Sequence, residues 1–138
     1  MTDGNKKENI ASELLKSAEM LSEAELLFNN GYFTGAVSRL YYALLHNIRG
    51  LLLTKGLEPK SHEGALRLFS LHFVKDGPFI AGDSHIFSRL MKYREEADYN
   101  PAYLFSKEDY KDLRKSAMEL NEKIKDFLHK NDYISDRH

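Results

Sequence analysis

Apolar residues recur every three or four positions along nearly the whole chain, and the pattern breaks only at short polar stretches holding Gly or Pro. Residues 32–55 carry the strongest signal. Wound as a helix, they place Val37, Leu40, Tyr41, Leu44, Leu45, Ile48, Leu51 and Leu52 on one stripe, which predicts a core face. The opposite side carries Arg39, Tyr42, His46, Arg49 and Leu53, and the helix contains neither Asp nor Glu. A solvated helix face usually mixes acids and bases. Aromatic, imidazole and guanidinium groups there predict a second partner behind the helix: another subunit, a nucleic acid, or both.

The same spacing predicts four further helices. Residues 6–29 place Ile10, Leu14, Leu21, Ala24 and Phe28 on one side, and Asn29-Asn30-Gly31 supplies a left-handed stop. Ser61 is a candidate N-cap for a helix over 62–75, whose apolar face holds Ala65, Leu68, Phe69, His72 and Phe73. After the loop DGPFIAG, a helix over 84–99 is predicted, capped by Asp83 or Ser84 and stopped at Asn100-Pro101. Ser106-Lys107-Glu108-Asp109 matches a capping box opening a helix over 107–130, with Tyr110, Leu113, Ala117, Leu120, Ile124, Phe127 and Leu128 as its stripe. No stretch alternates with the period of a strand. Three helices of about 24 residues, each roughly 35 Å long, predict an all-α, up-and-down antiparallel bundle of about five helices. The whole chain, 1–138, reads as one domain with an ordered core over about 6–130 and a frayed NDYISDRH tail.

Composition narrows the chemistry. The 138 residues include no Cys, which excludes disulfides and thiolate catalysis. No apolar run approaches a membrane span, and the polar N-terminal residues do not resemble a signal peptide, so a cytoplasmic protein without membrane contact is expected. A net charge of −1 argues against a generally basic nucleic-acid binder. The charge is uneven, however. Residues 30–75 hold six basic residues against two acidic, a net of +4, whereas the remainder holds 14 basic against 19 acidic, a net of −5. A phosphate responds to that local potential and not to the total.

Arg94 is the most unusual residue. It falls inside the apolar arc of Ile86, Phe87, Leu90, Met91, Tyr93 and Ala97, with Asp98 four residues on. A guanidinium among apolar side chains needs a partner to offset desolvation. Asp98 fits that role, giving either a structural ion pair or a phosphate-binding Arg oriented by Asp98 and Tyr99. The six His residues show no metal-ligand spacing, and no phosphate-cradling Gly-rich loop or cofactor motif is present, so neither metal nor cofactor is expected. His62, just after the Ser61 cap, is placed to point at the mouth of a cleft. His72 is expected to be a core histidine.

Three blocks taken together resemble a known family. Ala36-Val37-Ser38-Arg39-Leu40-Tyr41-Tyr42-Ala43-Leu44-Leu45-His46, then Lys60-Ser61-His62, then Arg94-Glu95-Glu96-Ala97-Asp98-Tyr99 are similar, in order and separation, to the HEPN domain (higher eukaryotes and prokaryotes nucleotide-binding), of the small stand-alone prokaryotic type. The resemblance covers about residues 10–130. It implies a helical bundle, frequent homodimerisation, nucleotide binding or RNA cleavage, and pairing with a minimal nucleotidyltransferase in modules resembling toxin–antitoxin systems. Ribonucleases of the family carry an R-x4-6-H motif that works without metal. Arg94 stands where that Arg is expected, but the required positions 99–101 are Tyr, Asn and Pro. Arg39 with His46, and Arg67 with His72, fit the bare spacing outside that location.

The resulting expectation is a nucleotide-, RNA- or partner-binding module without efficient nuclease activity. The candidate ligand residues are Arg94, Asp98, Tyr99, Arg39, Tyr42, His46 and His62. The alternatives are a metal-independent ribonuclease with a degenerate motif at Arg94, assisted by Tyr99 or a distant His, and a purely structural helical dimer.

Overall fold

A computed structural model describes residues 3–135. Among them there are five α-helices and no strand: α1 (Asp3–Asn29), α2 (Phe33–Leu53), α3 (His62–Phe69), α4 (Ala81–Tyr99) and α5 (Lys107–Lys130). The chain after α3 continues through Lys75 as a π-helical turn. None of these helices is long and apolar enough to cross a membrane.

The direction of each helix follows from its contacts. Leu27 meets Gly35, Glu23 meets Arg39, Ser17 meets Ala43 and Ile10 meets Gly50, so α1 and α2 form an antiparallel hairpin. Asn47 bonds Asn121, and Thr54 accepts from Tyr133, so α2 and α5 run parallel. Lys123 pairs with Asp83 while Phe105 packs on Tyr93, so α4 opposes α5. The four long helices therefore alternate up and down. α3 is a short crossing element between α2 and α4.

α2 is the centre of the fold, packed against α1, α3, α4 and α5. Fourteen of its 21 residues are buried, which is why its sequence lacks acids: there is little solvent beside it to hydrate them. The side opposite the predicted stripe is partly taken up by the chain itself. Leu53 is buried, Arg39 pairs with Glu23 at 2.9 Å, and His46 meets Glu13 at 3.3 Å. The carboxylates absent from α2 are thus supplied by α1.

Local signals set the boundaries. Gly31 (φ 82°) and Gly56 (φ 69°) provide the left-handed turns that end α1 and follow α2. Ser61 Oγ accepts from Gly64 N at 2.9 Å, capping α3. In the box that opens α5, Asp109 N donates to Ser106 Oγ at 3.0 Å and Ser106 N donates to Asp109 at 2.8 Å.

Four expectations are corrected. α4 starts at Ala81 and not at 84, because Asp83 lies inside its first turn and caps from there, accepting from Ile80 N at 3.0 Å. The predicted helix over 62–75 changes to π geometry at Ser70, which brings Phe69 and Phe73 into one aromatic cluster with Phe79 and Phe127. In that turn His72 is only half-buried, and its carbonyl accepts from Lys55 Nζ at 2.8 Å, so it is not a core histidine. Residues 131–135 are not frayed: Tyr133 and Ile134 pack on the core, and Tyr133 N donates to Leu128 O at 2.8 Å. Residues 136–138 of the tail lie outside the described residues.

Candidate functional site

Arg94 is held by the local logic of α4. Leu90 and Met91 fix the buried side of that helix, and Arg94 follows one turn later on the same side. It is only 6 % exposed. Its guanidinium lies over the Tyr41 ring, 5.4 Å from the centroid, and near Tyr99 at 5.9 Å. Nη1 stands 3.6 Å from Asp98 Oδ2, within ion-pair range but too far for a hydrogen bond. Nη2 is 4.0 Å from Glu95, whose side chain is half in solvent.

The partner that the helical spacing of α4 does not reveal is His62. Arg94 Nη2 donates to His62 Nδ1 at 3.1 Å. The Ser61 cap sets this contact by fixing where the first residue of α3 points. The rings of Tyr41 and Tyr42 hold the imidazole from beside it, at 5.5 and 5.9 Å. A guanidinium has only donors, so Nδ1 must accept, and the remaining proton sits on Nε2. Burial, then the Arg94 and Arg49 charges, hold His62 below the usual imidazole range, with Glu63 and Glu95 opposing. The resting site therefore presents a neutral imidazole with an N–H donor. Tyr41, beneath the guanidinium, is fully buried, and burial pushes its hydroxyl well above the usual phenol range.

Arg94, His62, Glu95 and Tyr99 line an open cleft of about 610 Å³ between the start of α3 and the end of α4, with Lys60 and Asn100 on its walls. A larger groove of about 920 Å³ lies between α1 and the end of α5. Its surface is mainly apolar, from Leu14, Leu15 and Ile134, with Lys7, Lys125, His129 and Asp132 as its charged or titratable members. No group of three or more His, Asp or Glu able to hold a metal ion occurs among the described residues.

Of the residues expected at a site, the fold brings Arg94, Asp98, Tyr99, Tyr42 and His62 together. Arg39 and His46 stand apart on the α1 side, engaged by Glu23 and Glu13. Arg49 lines a separate small hollow at the end of α2 with Glu13, Leu57 and Glu58, and its charge helps hold His62 below the usual imidazole range. Tyr41 belongs to the core, as its stripe position predicts, and its buried hydroxyl has no hydrogen-bond partner.

Comparison with known proteins bears on the chain as a whole. A family model described as HEPN domain matches residues 11–127. Over 93 residues the chain is 39 % identical to a Methanocaldococcus jannaschii protein named "Putative toxin MJ0605", covering 67 % of this chain and 69 % of that one. It is 36 % identical to a Thermotoga maritima protein named "UPF0332 protein", covering 82 % and 86 %. It is 34 % identical to "Putative toxin MJ0142" of M. jannaschii, covering 86 % and 82 %. The matched span contains α2, the His62 cap and the Arg94 turn, so the residues that build the cleft fall within it, and the chain belongs to the HEPN domain family.

Proposed function

We propose that this chain is a toxin-like HEPN module that binds the phosphate of RNA or of a nucleotide in the Arg94–His62 cleft. One observation carries the reading: a guanidinium 6 % exposed is kept at the edge of an open cleft, with an imidazole N–H beside it. Burying that cation is costly, and Asp98 at 3.6 Å offsets the cost only in part. An arriving phosphate would supply the missing anion. The local +4 over residues 30–75 and the toxin names of two relatives support the same reading. Binding of labelled RNA and of nucleotides should fall steeply with salt and fall further in Arg94→Ala. Affinity unchanged by either would remove the basis for the proposal.

A second reading has its own support. His62 comes from another helix and brings an imidazole within 3.1 Å of the guanidinium, which a metal-independent ribonuclease could use. Such a base contributes about 10²–10⁴-fold. The tautomer weighs against it, because the Nδ1 lone pair is occupied by Arg94 and Nε2 already bears its proton. Cleavage of RNA in chelator, lost in both His62→Ala and Arg94→Ala, would establish the enzyme reading.

A homodimer, and a complex with a minimal nucleotidyltransferase, complete the proposal. Tyr99 is 75 % exposed at the cleft and Leu104, five residues on, is 79 % exposed, and apolar area of this kind suits a protein contact. Light scattering at tens of micromolar tests the dimer, and co-purification with a neighbouring nucleotidyltransferase tests the complex.

A further inference from the structure

The cleft that holds Arg94 and His62 is not cationic as a whole. Its charged residues are Lys60 and Arg94 against Glu63, Glu95 and Glu96, two cations against three carboxylates. Lys60, Glu63 and Glu95 are exposed, so solvent screens them. Glu96 accepts from Asn100 Nδ2 at 2.9 Å. Of these five, only Arg94 carries a buried charge. One phosphate can lie against it, but a run of phosphates gains nothing from the walls. A nucleotide held in this cleft therefore needs a contact other than charge.

Tyr99 supplies one. Three tyrosines are exposed among the described residues: Tyr32, Tyr99 and Tyr103. Tyr103 packs on Phe105, with 4.8 Å between ring centroids, and Tyr32 lies at the turn between α1 and α2. Tyr99 lines the cleft and is 75 % exposed. The Arg94 guanidinium lies over its ring, 5.9 Å from the centroid, and no aromatic ring among the described residues stacks on it. An aromatic face open to water beside a cation is the arrangement on which bases stack in single-strand binding sites.

The ring is positioned before a ligand arrives. Tyr99 is the last residue of α4, and Asn100 pins the chain after it. Asn100 N donates to Glu96 O at 3.1 Å, its Nδ2 donates to the Glu96 carboxylate, and its Oδ1 accepts from Ala102 N at 3.1 Å. Pro101 then bars a further helical turn. A ring on a backbone held in this way loses little freedom when a base stacks on it.

We propose that the exposed face of Tyr99 is a stacking platform for one unpaired base, with the phosphate of the same nucleotide on Arg94 and His62. This inference rests on the phosphate-binding reading of the cleft and specifies its ligand: a mononucleotide or a single-stranded segment, not a duplex. In a duplex each base is already stacked and paired, so its face is not free for Tyr99, whereas an unstacked base can be splayed out onto an aromatic ring. Every base has a π-face, so the platform does not itself select a sequence.

The test compares adenosine 5′-monophosphate with ribose 5-phosphate, which keeps the phosphate and lacks the base, by calorimetric titration. Wild type should bind the nucleotide about five- to 150-fold more tightly, the value of one stacked base. Tyr99→Phe should keep that preference and Tyr99→Leu should lose it, with ring-current shifts of the adenine protons present for the first variant and absent for the second. Because Tyr99 is exposed, melting curves should show both variants folded like wild type. A single-stranded RNA oligonucleotide should also bind more tightly than the same strand annealed to its complement. Equal affinity for the two small ligands, each weakened by Arg94→Ala, would leave the phosphate site standing and overturn the platform. So would nucleotide binding untouched by Tyr99→Leu, including the case in which that variant breaks only a protein contact. Equal binding of single strand and duplex would overturn the requirement for an unpaired base. Nucleotide binding lost in Tyr99→Leu but unchanged in Arg94→Ala would keep the platform and overturn the phosphate reading. If nothing binds, both readings fall.

Discussion

Replacing Arg94 with Met separates a structural arginine from a functional one. The substitution keeps most of the aliphatic length and removes the charge. Three interactions would be lost. Stacking on Tyr41 is worth about 0.5–2 kcal/mol, and the bond to His62 involves a charged donor worth about 1.5–3 kcal/mol. The Asp98 contact contributes little, about 0–1 kcal/mol, because the distance is 3.6 Å and the Asp98 side chain is 28 % exposed. Against these stands the removal of a buried guanidinium, a relief of several kcal/mol, since apolar replacements of buried ions are often neutral or stabilising by about 1–4 kcal/mol. Met also packs against aromatic rings, and Tyr41 and Tyr99 are both at hand. The expected net change is therefore within about 1 kcal/mol of zero, a shift of only a few degrees in Tm for a chain of this size. Binding of RNA or nucleotide should nevertheless be lost. Thermal melts beside a binding titration decide the matter. A Tm drop of ten degrees or more with binding intact would refute the reasoning, because Arg94 would then be a structural lock.

Further outcomes follow from the same contacts. His62 is held below the usual imidazole range in the folded state, so the unfolded chain binds its proton more readily; stability should be unaffected above about pH 6.5 and decline as pH falls below it, and His62→Gln should flatten that decline in a pH series of denaturant melts. Ser61→Ala should cost about 1 kcal/mol through loss of the α3 cap and should also weaken ligand binding by loosening His62, whereas an equal stability loss elsewhere should not touch binding. Asn121→Ala strands the Asn47 amide in the α2–α5 seam and should cost about 1–3 kcal/mol by denaturant titration, with ligand binding unchanged.

Helical periodicity made most of the fold legible, because four long helices each bury one stripe and the breakers are ordinary: Gly31, Gly56 and the Ser106–Asp109 box act where their chemistry says they should. The start of α4 was misplaced because an Asp at the third helical position and an Asp at the cap look alike in sequence, and only the bond from Ile80 N tells them apart. The π-turn after Phe69 had no local signature. It accompanies the aromatic cluster of Phe73, Phe79 and Phe127, whose last member lies on a helix 48 residues away from Phe79.

The site was legible in part for a different reason. A guanidinium inside an apolar arc is a local anomaly, so Arg94 stood out from the spacing of α4 alone, and Asp98 and Tyr99 came with it on the next turn. His62 was harder. It is not anomalous on its own helix, and its contact with Arg94 arises only when α3 and α4 converge. The family's R-x4-6-H spacing directs attention to the turn after Arg94, where this chain has Tyr, Asn and Pro. The fold instead brings an imidazole 32 residues upstream within 3.1 Å of the guanidinium. That exchange has a chemical consequence. A His on the same helix could keep both ring nitrogens free of the Arg, whereas His62 spends one of them accepting from it. Under the phosphate-binding reading proposed above, such a site suits holding a phosphate better than taking a proton from a ribose hydroxyl.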